Sequence, residues 1–137
     1  MTIKVAGMWE LGYCAPLTEF DLWAFPLRDF GVAEWIMAPV SGVQKKVTEV
    51  ERLGDAIAAN PELTVVFVDE AGETPLQDFE HPENALYVLG RANFSPMRSF
   101  GADHEHVSVR VETQEAKGLL WPHQAIVIVL YDRARKA

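Results

Sequence analysis

The sequence lacks several features that would place it in a specialised class of protein. It holds a single cysteine, Cys14, so that no internal disulfide can form. Its longest apolar run, residues 125–131, is too short to cross a bilayer. The first residues enter a strand-like run without an apolar leader that ends in small residues. These absences predict a cytoplasmic protein with no membrane span.

Positive charge is also scarce. The chain has 12 lysines and arginines against 20 acidic residues, and its formal net charge is −8. This balance argues against broad nonspecific binding to nucleic acid, because phosphate contacts need a positive surface. A local basic patch remains compatible with the sequence, since several cationic residues are dispersed along it and could converge in the fold: Arg28, Lys45, Lys46, Arg91, Arg98 and Arg110.

Common catalytic motifs are absent as well. The chain has no Gly-x-x-x-x-Gly-Lys phosphate loop, and Ser95 and Ser99 lack the Gly-x-Ser-x-Gly setting of a hydrolase nucleophile. Residues 103–106 read Asp-His-Glu-His, and two histidines at this spacing can face one way on a strand. A structural zinc site needs four ligands, and no suitably spaced partners follow. A polar loop that enters a strand explains this segment better, so we predict no metal.

What the chain does contain is the composition of an ordinary globular protein. It has 137 residues, of which 49% are hydrophobic and 23% charged, enough to bury a core in one domain over residues 1–137. Strand-like and helix-like segments alternate, which predicts an α/β fold with a parallel sheet and helices on both faces. The predicted strands cover residues 3–8, 32–37, 63–68, 85–89 and 107–111.

Two helices are predicted between the first three strands. The first begins at Thr18, a residue type that caps helices, and ends at Gly31. The second begins at Ser41, which with Gln44 has the spacing of a capping box, and runs to about Asn60.

The last segment is ambiguous on pattern alone. Residues 126–130 are β-branched and leucine residues that favour a strand. Pro122 suits the first position of a helix, and residues 132–137 are rich in helix formers.

The order of motifs resembles a known family. Residues 85–90 end in Leu89-Gly90, residues 109–111 follow, and the apolar run from residue 125 ends at Tyr131-Asp132. This order resembles the C-terminal signature of the SPOUT superfamily, most closely the SpoU/TrmH-type RNA ribose 2′-O-methyltransferases. Upstream, residues 29–32 and 35–39 resemble that family's Phe-Gly-Val helix end and second strand.

The resemblance implies a SPOUT-like trefoil knot in the C-terminal region, with the last segment as a helix. It implies that S-adenosylmethionine lies bent among the knot loops and that the substrate is tRNA or rRNA. Arg28 or Arg91 would then contact phosphate or act in catalysis. The implied cofactor-binding residues are Val68, Leu89, Gly90, Val109, Val111, Leu119 and Leu120.

The sequence departs from the family at several signature positions. The family's asparagine and arginine before Phe-Gly-Val fall at Glu19 and Phe25, and its glutamate after the motif glycine falls at Ala92. Glu112 replaces a proline, and Trp121 replaces the asparagine before the last helix. Two alternatives therefore stand beside an active enzyme: a catalytically silent SPOUT-like dimeric binding module, which can still bind S-adenosylmethionine, and an unrelated open α/β domain.

The apolar residues of the first and last helices predict a homodimer. Trp23 and Leu27, together with the unbroken run at residues 125–131, give more hydrophobic surface than a small monomer usually exposes. We expect both helices to be buried between two copies of the chain.

Overall fold

The computed structural model describes residues 1–115 and 120–137, and its centre is a seven-stranded sheet in which every strand pair is parallel. The order of the strands across the sheet is β3-β2-β1-β6-β4-β7-β5. The strands are β1 (Ile3–Met8), β2 (Glu34–Ala38), β3 (Thr48–Glu49), β4 (Thr64–Val68), β5 (Thr74–Pro75), β6 (Ala85–Val88) and β7 (His106–Arg110).

Helices cover both faces of this sheet, as the sequence predicted. Two short 3-10 turns, Leu76–Asp78 and Gly101–Asp103, accompany four α-helices: α1 (Pro16–Asp29), α2 (Leu53–Ala58), α3 (Pro96–Phe100) and α4 (Pro122–Lys136). Buried side chains of α1 and α4 belong to one core cluster, and those of α2 belong to another, against which α3 packs. The fold class is therefore α/β.

The two clusters follow the alternation of side chains along each strand. On β1, Val5 faces the cluster under α1 and α4, whereas Ala6 faces the cluster under α2. On β6, Tyr87 and Val88 divide in the same way, and both are fully buried. Burial on both faces is what a parallel sheet requires, and it explains why its strands read as continuous apolar runs.

The predicted start of the first helix is wrong by two residues. The helix begins at Pro16 with Ala15 as its N-cap, and Thr18 lies inside the first turn. Proline at the first helical position costs no hydrogen bond, because the amide there has no partner within the helix. This advantage outweighs the capping tendency of Thr18.

The predicted helix over residues 41–60 is also wrong, and only its last part, α2, is helical. Ser41 does not cap a helix, because its amide and hydroxyl both donate to the carboxylate of Glu49. The same carboxylate accepts a bond of 2.7 Å from the indole Nε1 of buried Trp9. Gly42 has φ of +78°, a left-handed conformation that breaks a helix. Tertiary contacts of Glu49 thus override the local pattern.

The ambiguous last segment is a helix, as the resemblance implied. Ile126, Val129 and Leu130 are buried at helical spacing, while Ile128 is exposed. Among the described residues, no helix is long and apolar enough to cross a membrane. Leu119 and the rest of residues 116–119 lie outside the described residues, and the knot stays a prediction.

A buried polar network attaches the end of α4 to the segment before β6. The guanidinium of Arg133 donates to the hydroxyl of Tyr87 at 2.9 Å and to the carbonyl oxygens of Pro82 and Glu83. One turn later, Lys136 Nζ donates to the carbonyl oxygen of Leu76 at 2.8 Å. These bonds give acceptors to the guanidinium of Arg133, which burial removes from water.

His81 completes this network between a phenol and a carboxylate. Its Nδ1 lies 2.8 Å from the Tyr87 hydroxyl and its Nε2 lies 2.8 Å from the carboxylate of Asp132. Burial lowers the pKa of His81, and this effect outweighs the attraction of Asp132 for the charged form. The ring is therefore neutral at neutral pH, with its Nε2 proton donated to Asp132 and Nδ1 accepting from Tyr87.

We expect this neutral histidine to make stability depend on pH. An unfolded histidine has a pKa of about 6.5, and the pKa of His81 in the folded protein is lower. The contribution of His81 to stability is therefore complete above the unfolded pKa, and it is lost as the pH falls through the folded pKa. In urea unfolding from about pH 7 to about pH 5, the stability advantage of wild type over His81→Gln should shrink. An advantage that stays constant would contradict this role.

Candidate functional site

A cavity of about 930 Å³ opens where β4, β6 and β7 end. Because all strands run in parallel, their carboxyl ends meet at one edge of the sheet, where α/β proteins commonly bind ligands. The loops after these strands and the start of α4 form its walls. The lining residues are Tyr13, Val68, Asp69, Glu70, Leu89, Gly90, Arg91, Ala92, Asn93, Phe94, Ser95, Arg98, Ser99, Val111, Thr113, Leu120, Trp121, Pro122 and Ala125.

Most of the residues assigned to a cofactor by the resemblance line this cavity. They are Val68, Leu89, Gly90, Val111 and Leu120. Val109 is not among the lining residues, because its side chain is fully buried in the core under α1 and α4. Leu119 lies outside the described residues. Ala125, in the first turn of α4, adds an apolar surface that the sequence did not single out.

Gly90 is required by the close approach of the following residues of the chain, and not only by space for a ligand. A Cβ built at this position would overlap the carbonyl oxygen of Phe94 and lie 2.6 Å from Cδ of Pro96. The chain turns sharply here, with Asn93 at φ of +64° and a bond of 3.0 Å from the Phe94 amide to the Arg91 carbonyl. The glycine therefore permits the turn that forms one wall of the cavity.

The loop after β4 is fixed to the loop after β6 by Asp69. Its carboxylate accepts a short hydrogen bond from the Ser95 hydroxyl and a bond of 2.9 Å from the amide of Ala71. The Ser95 oxygen in turn accepts from the amide of Arg98 and so caps α3. Two walls of the cavity are thereby held in one arrangement.

A second tie joins the loop after β1 to the same turn. Glu10 is buried, and its carboxylate accepts a bond of 2.7 Å from the amide of Ala92. Arg91 Nη1 donates to the carbonyl oxygen of Trp9 at 3.3 Å. The sequence analysis did not find Glu10, because no local motif surrounds it and its partner is 82 residues away.

Glu19, which stands where the family has asparagine, is a buried structural carboxylate. It accepts bonds of 2.7 Å from the Glu10 amide and from the indole Nε1 of Trp23. Burial raises the pKa of Glu19, and this effect outweighs those two hydrogen bonds. The residue stabilises the start of α1 behind the cavity and is not among the lining residues.

The basic residues converge only in part. Arg91 and Arg98 line the cavity, together with the carboxylates Asp69 and Glu70, so the site is mixed in charge. Arg28 is exposed in the last turn of α1, and its guanidinium lies 5.6 Å from the centroid of the Phe25 ring. Because α1 runs back from the carboxyl edge of the sheet, Arg28 lies far from the cavity of its own chain.

Two aromatic side chains form part of the rim. Tyr13 is 67% exposed and Trp121 is 37% exposed, and their ring centroids lie 5.5 Å apart at an interplanar angle of 83°. Trp121 occupies the signature position of the family's asparagine, a departure that the sequence revealed. No sequence pattern predicted a role for Tyr13, because it lies in an irregular segment between β1 and α1.

The histidine segment does not form a metal centre in the part of the chain that the structure describes. Within residues 1–115 and 120–137, no group of three or more His, Cys, Asp or Glu side chains could hold a metal ion. His104 and His106 instead border a second depression of about 530 Å³, near the start of β4 and β7.

No protein-family model matches this sequence, and no curated protein matches it either. Solved structures are similar in fold. The SpoU methyltransferase AviRb from Streptomyces viridochromogenes, in complex with AdoMet, superposes with a TM-score of 0.70 at 15% identity over 98% of this chain and 57% of that protein. An AdoMet-bound rRNA methyltransferase from Sinorhizobium meliloti gives a TM-score of 0.67 at 11% identity, over 98% of this chain and 56% of its own.

A third structure has nearly the same length as this chain. It was solved to explain the 2-OH methylation of C/U34 on tRNA, and it superposes with a TM-score of 0.74 at 11% identity. The match covers 99% of this chain and 91% of that one, whereas this chain spans little more than half of the other two proteins. The chain has the fold of the SpoU/TrmH-type RNA methyltransferases, as the order of its motifs predicted.

Proposed function

We propose that the chain is an S-adenosylmethionine-dependent methyltransferase that acts on RNA. One observation carries the proposal: the cavity at the ends of β4, β6 and β7 is lined by five of the seven residues that the motifs assign to a cofactor. Two of the solved proteins that share the fold contain AdoMet, which supports the same ligand.

The cavity fits the proposed cofactor in size and chemistry. Its volume of about 930 Å³ lies within the usual range for small-molecule sites. Val68, Val111 and Leu120 would form apolar walls for the adenine ring. The small side chain of Ala125, on α4, leaves space for the ring beside that helix. S-Adenosylmethionine, when bound, supplies an electrophilic methyl group.

The charged residues of the cavity would serve the substrate. Arg91 and Arg98 would bind phosphate oxygens of the RNA, since a guanidinium offers paired donors to such groups. Asp69 or Glu70 would accept the proton that the attacking oxygen or nitrogen loses. Positioning and exclusion of water would supply most of the rate enhancement. Arg28 could contribute only in a dimer, where the end of one α1 approaches the partner's cavity.

A catalytically silent module remains the second candidate, and a specific observation favours it. Phe25 is 56% exposed at the position where the family has its arginine, and Ala92 leaves no carboxylate on the turn after β6. Such a module would bind S-adenosylmethionine without transferring its methyl group. Incubation of the protein with radiolabelled S-adenosylmethionine and unmodified tRNA or rRNA transcripts separates the two, since only the enzyme labels RNA.

The remaining parts of the proposal concern the architecture. We propose that residues 1–137 act as one domain, because one sheet includes strands from Ile3 to Arg110 and α4 packs against it. We also propose the trefoil knot, in which α4 is threaded through a loop; the similarity to SpoU/TrmH folds supports it. A cytoplasmic location would agree with an RNA substrate and a lone free thiol.

The homodimer would use the outer surfaces of α1 and α4. Trp23 and Leu27, which the sequence analysis assigned to this interface, lie in the core of the single chain, at 1% and 3% exposure. The apolar side chains that α1 and α4 expose instead are Leu17, Leu22, Phe25, Ile128 and Tyr131. Their exposure supports an interface between two copies.

Cofactor binding is expected to depend on Ala125. Replacing Ala125 by Phe puts a ring into the cavity and should weaken S-adenosylmethionine binding by about tenfold or more in titration calorimetry. The matched control is Ala59→Phe, an exposed position at the end of α2 outside the cavity, which should bind like wild type. Absence of heat with wild type, for both S-adenosylmethionine and S-adenosylhomocysteine, would refute the cofactor assignment.

The dimer is expected to dissociate when charge is placed on its interface. Phe25→Glu combined with Ile128→Glu should give a monomer in sedimentation experiments at tens of micromolar, where wild type should be a dimer. Val40→Glu, at an exposed apolar position on the loop after β2, serves as the control and should not alter the mass. A monomeric wild type would contradict the proposal.

A further inference from the structure

We infer that Tyr13 and Trp121 form a stacking platform for an unpaired base of the RNA, at the rim of the cavity. The inference rests on the proposed function and adds the substrate element that the site recognises: a single-stranded nucleotide whose base lies on aromatic rings. Stacking on aromatic side chains is the usual way in which proteins hold unpaired bases.

The platform is continuous with the core of the protein. Trp121 lies nearly parallel to the ring of His123, with centroids 6.3 Å apart and an angle of 16°. His123 contacts Trp23 edge to face at 6.3 Å, and Trp23 stacks on Trp35 at 6.1 Å. Burial lowers the pKa of His123, so this ring is neutral at neutral pH and packs as an aromatic group.

This support matters because a rigid aromatic surface loses little entropy when a base binds. Trp23 and Trp35 are almost fully buried, and they fix one side of the row of rings. The other end is open, since Tyr13 is 67% exposed and Trp121 is 37% exposed. A base could therefore contact the exposed rings without any rearrangement of the core.

The neighbouring charges indicate a nucleotide rather than an apolar partner. Arg91, on the loop after β6, and Arg98, on α3, line the same cavity as the two rings and offer cations to phosphate, beside the carboxylates of Asp69 and Glu70. An aromatic pair with cations nearby is the combination that binds bases and phosphates of single strands. Cations also lie beside exposed rings of α1 and α4, with Arg28 5.6 Å from the Phe25 ring and Arg135 5.8 Å from the Tyr131 ring, but these rings do not line the cavity.

The platform also lies at the exposed edge of the cavity rather than at its buried floor. Leu89 is 1% exposed and Val68 is 9% exposed at the cavity floor, whereas Tyr13 and Trp121 stand at the rim. A methyl donor bound against the floor would leave the rim to the second reactant.

The test uses a labelled oligoadenylate of about six nucleotides and a ribose-phosphate oligomer of equal length without bases. Binding is followed by anisotropy and by quenching of tryptophan emission, at fixed salt and without cofactor. Because Trp9, Trp23 and Trp35 are buried, Trp121 is the one exposed tryptophan of the four, all of which lie in the described residues. We expect the oligoadenylate to quench its emission and the abasic oligomer to leave it unchanged.

Variants then assign the contact to the two rings. Trp121→Leu and Tyr13→Leu should each weaken oligoadenylate binding by about 5- to 150-fold, the range expected for loss of one stacked base. Trp121→Phe, which keeps a ring, should weaken it by less than about threefold. Val107→Ala changes an equally exposed apolar side chain outside the cavity and should have no effect. Circular dichroism confirms that each variant is folded.

Three results would overturn the inference. The abasic oligomer could bind wild type as tightly as oligoadenylate, or the two leucine variants could bind like wild type. The third is that Trp121→Leu alters the oligomeric state and not RNA affinity, which would make the rim an interface between copies. Calorimetry with S-adenosylmethionine separates this inference from the proposed function, because cofactor binding without ring-dependent RNA binding removes only the platform.

Discussion

The parallel direction of every strand pair is the constraint on which the rest of the structure depends. Parallel neighbouring strands must be joined by crossover connections, and the helices in these connections cover both faces of the sheet. The carboxyl ends of all the strands then lie at one edge of the sheet. The loops after β4, β6 and β7 therefore meet at that edge. The cavity is a consequence of topology, and its chemistry is determined by which side chains those loops carry.

Buried and half-buried polar groups hold the loops in their positions. Glu10 and Asp69 tie the turn after β6 to the loops after β1 and β4, and Arg133 holds the far end of α4 against the chain before β6. Removing the partners of Glu10 or Arg133 would cost stability, because both charges are buried and an unpaired buried charge loses its hydration. Such ties make the arrangement of the loops specific, whereas the apolar core determines only that the layers pack.

The sequence predicted the features that depend on residues close together in the chain, which are the strands and the last helix. Short apolar runs, and the alternation at residues 107–111, identified the five long strands. The motif order identified α4 and most of the proposed cofactor-binding residues of the cavity, including Leu89 and Val111. Two failures depend on contacts that no local pattern shows. The loop at residues 41–47 follows Glu49, which also binds Trp9 40 residues away, and the role of Glu10 depends on a partner 82 residues away. The same reason explains Val109, which is adjacent to the site in sequence and faces the core in space. Tyr13 could be assigned to the site only once the structure placed its ring 5.5 Å from that of Trp121.

The row of aromatic rings gives the molecule an optical property of its own. Trp9 and Trp35 approach to 5.8 Å, and Trp23 and Trp35 to 6.1 Å, distances at which indole transitions couple. Coupled, immobile indoles give near-ultraviolet circular dichroism that vanishes when side-chain packing loosens, even where secondary structure persists. Trp9 directly follows β1, Trp23 lies in α1 and Trp35 lies in β2, so three parts of the fold contribute to that signal. Spectroscopy can thus follow the tightness of the interior under α1 separately from the helix content of the chain.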